Sequence, residues 1–118
     1  MVKMRALVEW IPKERGGRSQ PPTGVGTPPY STVVRFLDTE ESWPPPVAWS
    51  LAVEKDEAQS QGYRWIAVVY FRVEDAPHES LREGREFELY EGNKCVARGR
   101  ILVDSVPARE GLKAASSA

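Results

Sequence analysis

Cysteine and histidine are nearly absent from this chain: Cys95 and His78 are the only examples of each in 118 residues. One cysteine cannot close an internal disulfide, which fits a reducing compartment. One histidine and one cysteine cannot furnish the ligand set of a closed structural zinc site, so no metal is expected. No apolar run approaches the roughly 18 residues that cross a bilayer. Residues 1–11 are interrupted by Lys3, Arg5 and Glu9 and lack the apolar centre of a secretory signal. A cytoplasmic protein with no membrane partner is therefore expected. Charge of one sign is also lacking: the formal net charge is −1, which gives the whole chain no strong pull on nucleic acid or anionic lipid.

Sequence patterns for chemistry are equally thin. Nothing matches the glycine-rich GxxxxGK[ST] loop that cradles phosphates, so no nucleotide and no cofactor are expected. Asn93-Lys94 departs from a guanine-recognition NKxD element because Val96 stands where the aspartate is needed. His78-Glu79-Ser80 places a base and a hydroxyl side by side, but a triad needs groups that converge from different parts of a fold, and a polar turn is the preferred reading. Cys95, beside a turn, reads as a packed strand residue rather than a reactive thiol. The chain is not expected to be an enzyme.

What is present is alternation. With 41% hydrophobic and 28% charged residues, the chain has the composition of one soluble domain. Residues 4–11 set Ala6, Val8 and Trp10 against Arg5, Leu7 and Glu9, the period of a half-buried strand, and Pro12 ends it. Residues 13–29, rich in Gly, Pro, Ser and Thr, form a long loop. Strands follow at 32–37, with Val34 and Phe36 on one face, and at 47–53, with Val47, Trp49, Leu51 and Val53 on one face. Between them, 38–46 is acidic and then proline-rich, a stiff surface connection in preference to a polyproline docking segment. After a polar loop at 54–62, residues 64–73 are apolar on both faces, so the outer face of that strand is expected to lie under a loop or to meet a partner. Residues 76–84 read as a turn or a single helical turn.

The chain is organised around its last hairpin. Phe87 and Leu89 alternate with Glu86 and Glu88, and Ala97, Gly99, Ile101 and Val103 form the inward set of a second strand. Glu91-Gly92-Asn93-Lys94 supplies the tight turn between them. Charge is uneven along the chain: residues 1–30 are basic in balance and 38–60 acidic, a pattern read as ordinary surface fluctuation in preference to a molecule with a basic and an acidic end.

Lys13-Glu14-Arg15-Gly16-Gly17-Arg18 after the first strand, Gly26-Thr27-Pro28 before the second, and Phe87-Glu88-Leu89-Tyr90-Glu91-Gly92 with Gly99 near the end occur in the order found in the C-terminal domain of elongation factor Tu and its relatives. The chain resembles that domain over residues 4–103. The resemblance implies an all-β fold, a single closed six-stranded antiparallel β-barrel over 1–103; residues 104–118, which run into small and polar residues, are expected from their composition to form a poorly ordered tail. In that family the barrel is not catalytic; its first loop and last hairpin help to hold the T stem of aminoacyl-tRNA. The matching positions here are Gly16, Gly17 and Arg18 in the loop, and Glu91 and Gly92 in the hairpin. Ser19, Thr27 and Asn93-Lys94 depart from the family pattern. The expected function is that of a non-catalytic module that binds a protein partner, with weak RNA or tRNA binding as the alternative. The candidate binding residues are Lys13, Arg15, Gly16, Gly17, Arg18, Glu91, Gly92, Lys94 and Arg98, with Arg100 added if the ligand is RNA. The Gly16-Gly17 amides, exposed beside Arg15 and Arg18, are expected to hold an acidic side chain or a phosphate, unless the loop is mobile and solvated.

Overall fold

The alternating residues do become strands, and the strands close on themselves. The structure, a computed structural model, describes residues 2–23, 28–38 and 47–103. Six strands are present: β1 (Met4–Trp10), β2 (Tyr30–Phe36), β3 (Ser50–Lys55), β4 (Arg64–Phe71), β5 (Glu86–Glu91) and β6 (Lys94–Val103). They form a closed barrel in the order β1-β4-β3-β2-β5-β6, with every neighbouring pair antiparallel. Among the described residues the only helical pieces are 3-10 turns at Lys13–Arg15, Glu57–Gln59 and His78–Ser80. No helix among them is long and apolar enough to cross a membrane. The expected tail, the proline-rich stretch at 43–46 and the Gly26-Thr27 pair lie outside the described residues.

Apart from the strand ends corrected below, the predicted inner faces of β1 to β5 pack on one core, as a period-2 pattern requires. Met4, Ala6, Val8 and Trp10 of β1 meet Trp65, Ala67, Val69 and Phe71 of β4, Leu51 and Val53 of β3, and Phe87 and Leu89 of β5. These side chains fill the barrel. At one end Trp10 stands edge-on to Trp65 at 4.9 Å and to Tyr30 at 5.5 Å. Aromatic edges over faces are favourable beyond the area they bury. Gly99 is required by space: a Cβ there would lie 2.3 Å from the tip of the Phe87 ring.

The structure corrects the sequence reading at several boundaries. β3 begins at Ser50 rather than Val47, whose side chain is 58% exposed, and it runs on to Lys55. β4 ends at Phe71, leaving Val73 56% exposed instead of inward. Glu86 is exposed as expected, but Glu88 is not: its side chain is only 12% exposed because Arg98 and Arg35 lie against it. A bulge between Leu89 and Tyr90 inserts Val96 beside Ala97, so two successive residues of β6 are buried where strict alternation allows one. The hairpin turn is the predicted one, with Glu91 opposite Lys94. Within this turn only Gly92 takes positive φ, at 62°; among the described residues none but glycines does, so Asn93 stays in the ordinary region, the type II′ pattern.

Candidate functional site

The segment after β1 is a packed turn. Ile11 donates its amide to Val96 O at 2.8 Å, and Arg18 donates back to Ile11 O at 2.9 Å. Within the turn the Gly16 amide bonds Lys13 O at 3.0 Å and the Gly17 amide bonds Pro12 O at 3.0 Å. Gly16 sits at φ 92°, a backbone that side chains resist. Gly17 is buried, and a Cβ on it would fall 1.7 Å from Ile11 O. Two expectations are thereby corrected. The glycine amides are not offered to an anion, because backbone carbonyls already occupy them, and residues 13–18 are tied to β1 rather than swinging in solvent.

Arg18 does meet the closing hairpin. Its Nη1 bonds Glu91 Oε2, its Nε donates to Gln20 O at 2.9 Å, and its guanidinium lies 5.6 Å from the centre of the Tyr30 ring. The Tyr30 hydroxyl donates to the same Glu91 oxygen. Burial, and then the bond to the Glu91 carboxylate, push the Tyr30 phenol well above its ordinary value. First loop and last hairpin thus come together, and the cation and the anion of that meeting neutralise each other. Gly92 serves the turn itself. Lys13 and Lys94 are exposed at the same end and make no ion pair among the described residues. Asp56 and Glu57, which follow β3 at this end, keep it from being uniformly basic.

Arg98 belongs to a different arrangement. The registers place Arg64 opposite Glu9, Glu9 opposite Arg98, Arg98 opposite Glu88, and Glu88 opposite Arg35, so that charges of alternating sign run across five strands on the outer wall. The Arg64–Glu9 separation is 3.7 Å, Arg98–Glu88 is 3.4 Å and Arg35–Glu88 is 4.0 Å. Opposite charges facing each other across strands stabilise the pairing, and like charges there would oppose it. Tyr90 adds a bond to Glu88 at 2.9 Å, and its phenol is raised by burial and by that carboxylate. In the next row Arg100 pairs with Glu86 at 2.9 Å, so Arg100 is also committed.

Where this belt reaches the 3-10 turn, an open groove of about 660 Å³ is lined by Glu9, Trp10, Ile11, Arg15, Gln61, Tyr63, Arg64 and Arg98. Of the predicted residues, Arg15 and Arg98 meet here. Gln61, Tyr63 and Arg64 were missed. Arg64 carried one legible sign, since it opens β4 on the parity of the outward residues Ile66 and Val68. Its position beside Glu9 depends on the pairing of β1 with β4, which alternation does not reveal. Arg15 makes no ion pair among the described residues.

The remaining candidates are occupied structurally. His78 Nε2 lies 3.0 Å from Val73 O and 3.1 Å from Glu74 O, with its ring edge-on to Phe71 at 6.0 Å, so it fastens the turn it sits in. The Cys95 thiol is pushed up by burial, which disfavours the nucleophilic thiolate, and its Sγ faces Ala97 O at 3.6 Å. On the outer face of β4, Tyr70 is buried, with its hydroxyl on Glu54 and the Lys3 ammonium 4.6 Å from its ring centre, while Ile66 and Val68 are half-buried. Little of that face is open.

No protein-family model matches the chain, and no curated protein is significantly similar to it.

Proposed function

We propose that the chain is a non-catalytic binding module, a barrel similar to the one that closes elongation factor Tu, and that it acts on a protein partner in the cytoplasm. The observation that carries this reading is the filled and closed barrel. Side chains occupy the interior, so the wall and rims are what the molecule can present to another. The order of the loop and hairpin motifs supports the likeness to the translation factor. The meeting of Arg18 with Glu91 supports it further, since it joins the two segments that the likeness pairs. The same contact speaks against RNA as the ligand of the loop, because the glycine amides and the Arg18 guanidinium are already engaged.

The test is affinity capture with the full chain as bait, with and without ribonuclease. The reading expects a protein that is retained after nuclease treatment and competed by excess free chain. Recovery of RNA alone, lost on nuclease treatment, overturns it.

A further inference from the structure

The groove beside the 3-10 turn at Lys13–Arg15 is lined by arginines that the barrel holds loosely, Arg64 and Arg98, and by Arg15, which makes no ion pair among the described residues. Arg64 and Arg98 are met by carboxylates only loosely, at 3.7 and 3.4 Å, with 68% and 70% of their side chains exposed. Such pairs contribute little to folding and exchange readily with other anions. The belt sets Arg64, Arg98 and Arg35 against Glu9 and Glu88, one cation more than it has anions, and Arg15 adds another at the groove wall.

We propose that this groove docks an acidic, extended segment of a partner protein, an inference that rests on the protein-binding reading above. Carboxylates suit the guanidinium fork, which binds them through two parallel bonds. Tyr63 spends its hydroxyl on Ser19 O at 2.9 Å and so presents its ring, while Gln61 presents an amide. These seat the side chains that alternate with the acidic ones. The partner does not join as a strand, because a closed barrel leaves no unpaired edge. Recognition therefore runs through side chains. A phosphate backbone fits less well. Glu9 stands between Arg64 and Arg98, and Glu88 lies beyond Arg98; phosphates are fixed in the backbone and cannot turn away from these carboxylates, whereas glutamate side chains on a peptide can.

The probe is a fluorescein-labelled peptide of about ten residues with Glu at every second position, the spacing that puts all carboxylates on one side of an extended chain. Its counterpart has Gln at those positions. Fluorescence anisotropy at low salt, about 50 mM, keeps screening weak. The acidic peptide binds and the Gln peptide does not. Arg15→Gln, Arg64→Gln and Arg98→Gln combined weaken binding about tenfold or more, whereas Arg72→Gln with Arg82→Gln at the opposite end leaves it unchanged. Circular dichroism and the melting temperature of each variant confirm that the barrel is intact. Equal binding by the triple variant, equal binding of the Gln peptide, or no binding of the acidic peptide overturns the groove. Tighter binding of an oligouridylate of equal charge, lost in the same triple variant, overturns the peptide and gives the groove to phosphate. The capture experiment separates the two levels. A nuclease-resistant partner retained by the triple variant overturns the groove and leaves the protein-binding reading standing, whereas loss of every protein partner from the wild-type chain defeats both.

Discussion

At one end of the barrel Arg18 bonds Glu91, faces the Tyr30 ring and donates to Gln20 O; at the other, Arg85 bonds Asp38 at 2.8 Å, faces the Phe36 ring at 4.2 Å and donates to Ser80 O at 3.0 Å. Tyr30 and Phe36 are the first and last residues of β2, so the same three-part fastening grips both ends of one strand. The surroundings of the two fastenings differ. Near Arg85 the buried Leu81 and Ala76 pack into the core and His78 fastens the turn between them. Near Arg18 the walls part into the groove that Arg15, Arg64 and Arg98 line. An arginine held by a carboxylate, a ring and a carbonyl is part of the fold, and one held by none of them is available to a partner. Three positions separate Arg15 from Arg18, yet they fall on opposite sides of that distinction.

The ends share one core, so the largest effect is expected where neither end is favoured. Leu89→Ala should cost about 2–5 kcal/mol, by lost transfer energy and by the cavity left in a filled barrel. Urea titration measures it. A cost below about 0.5 kcal/mol would mean that Leu89 does not face the core and that the two ends are not built on a common interior.

The next effect singles out the groove end. Gly17→Ala pushes a methyl into the Ile11 carbonyl, so either the turn or β1 must shift, at about 1–3 kcal/mol. Gly92→Ala meets open space and strains only its positive φ, at about 1 kcal/mol. The two variants compared in one denaturant series test whether residues 13–18 are packed. If Gly17→Ala costs no more than Gly92→Ala, the turn is loose, and the groove end is less fixed than the Arg85 end.

Most of this architecture was legible as alternation. Five of the inner faces follow from period 2, and the hairpin follows from Gly92-Asn93 between two such runs. Alternation failed where the backbone breaks its own period. Val96 is buried because a bulge slips the register, and Val73 is exposed because the strand stops two residues earlier. The candidate site was legible only in part, for a different reason. Arg15, Arg18 and Arg98 are alike in sequence, and their fates are set by what crosses from other strands. Glu91 reaches Arg18 from a separation of 73 residues, and Glu9 and Arg64 become neighbours through an antiparallel pairing that composition does not encode.

Alkali should act on the groove end and on the outer wall of β4. Tyr30 and Tyr70 both have folded pKa values raised above the ordinary 10.0, Tyr70 to about 12, chiefly by burial and then by bonds to Glu91 and Glu54. The folded state therefore keeps a proton that the unfolded state releases. The stability held by each phenol is complete below pH 10 and is lost as pH rises through the folded value. Melting temperatures measured from pH 9 to about 12 should fall steeply in the wild type and less steeply in Tyr30→Phe and Tyr70→Phe. Parallel curves for all three proteins would show that these phenols are not held neutral by the fold.

Acid should act on the other end, and more gently. The bond from Arg85 holds the Asp38 carboxyl below its ordinary 3.8, so the stability it contributes is complete above that value and is lost as pH falls through the lower folded value. Asp38 is open to solvent, and water and salt screen the pair, which makes this the smallest of the expected effects. Melting temperature followed downward from about pH 5 should drop more steeply in the wild type than in Asp38→Asn, and added salt should narrow the gap. The alkaline curve of Asp38→Asn should match that of the wild type, because no phenol with a raised pKa touches Asp38. If Asp38→Asn instead changes the alkaline limb and leaves the acid limb as it was, the two fastenings do not work as separate devices and the contrast between the ends fails.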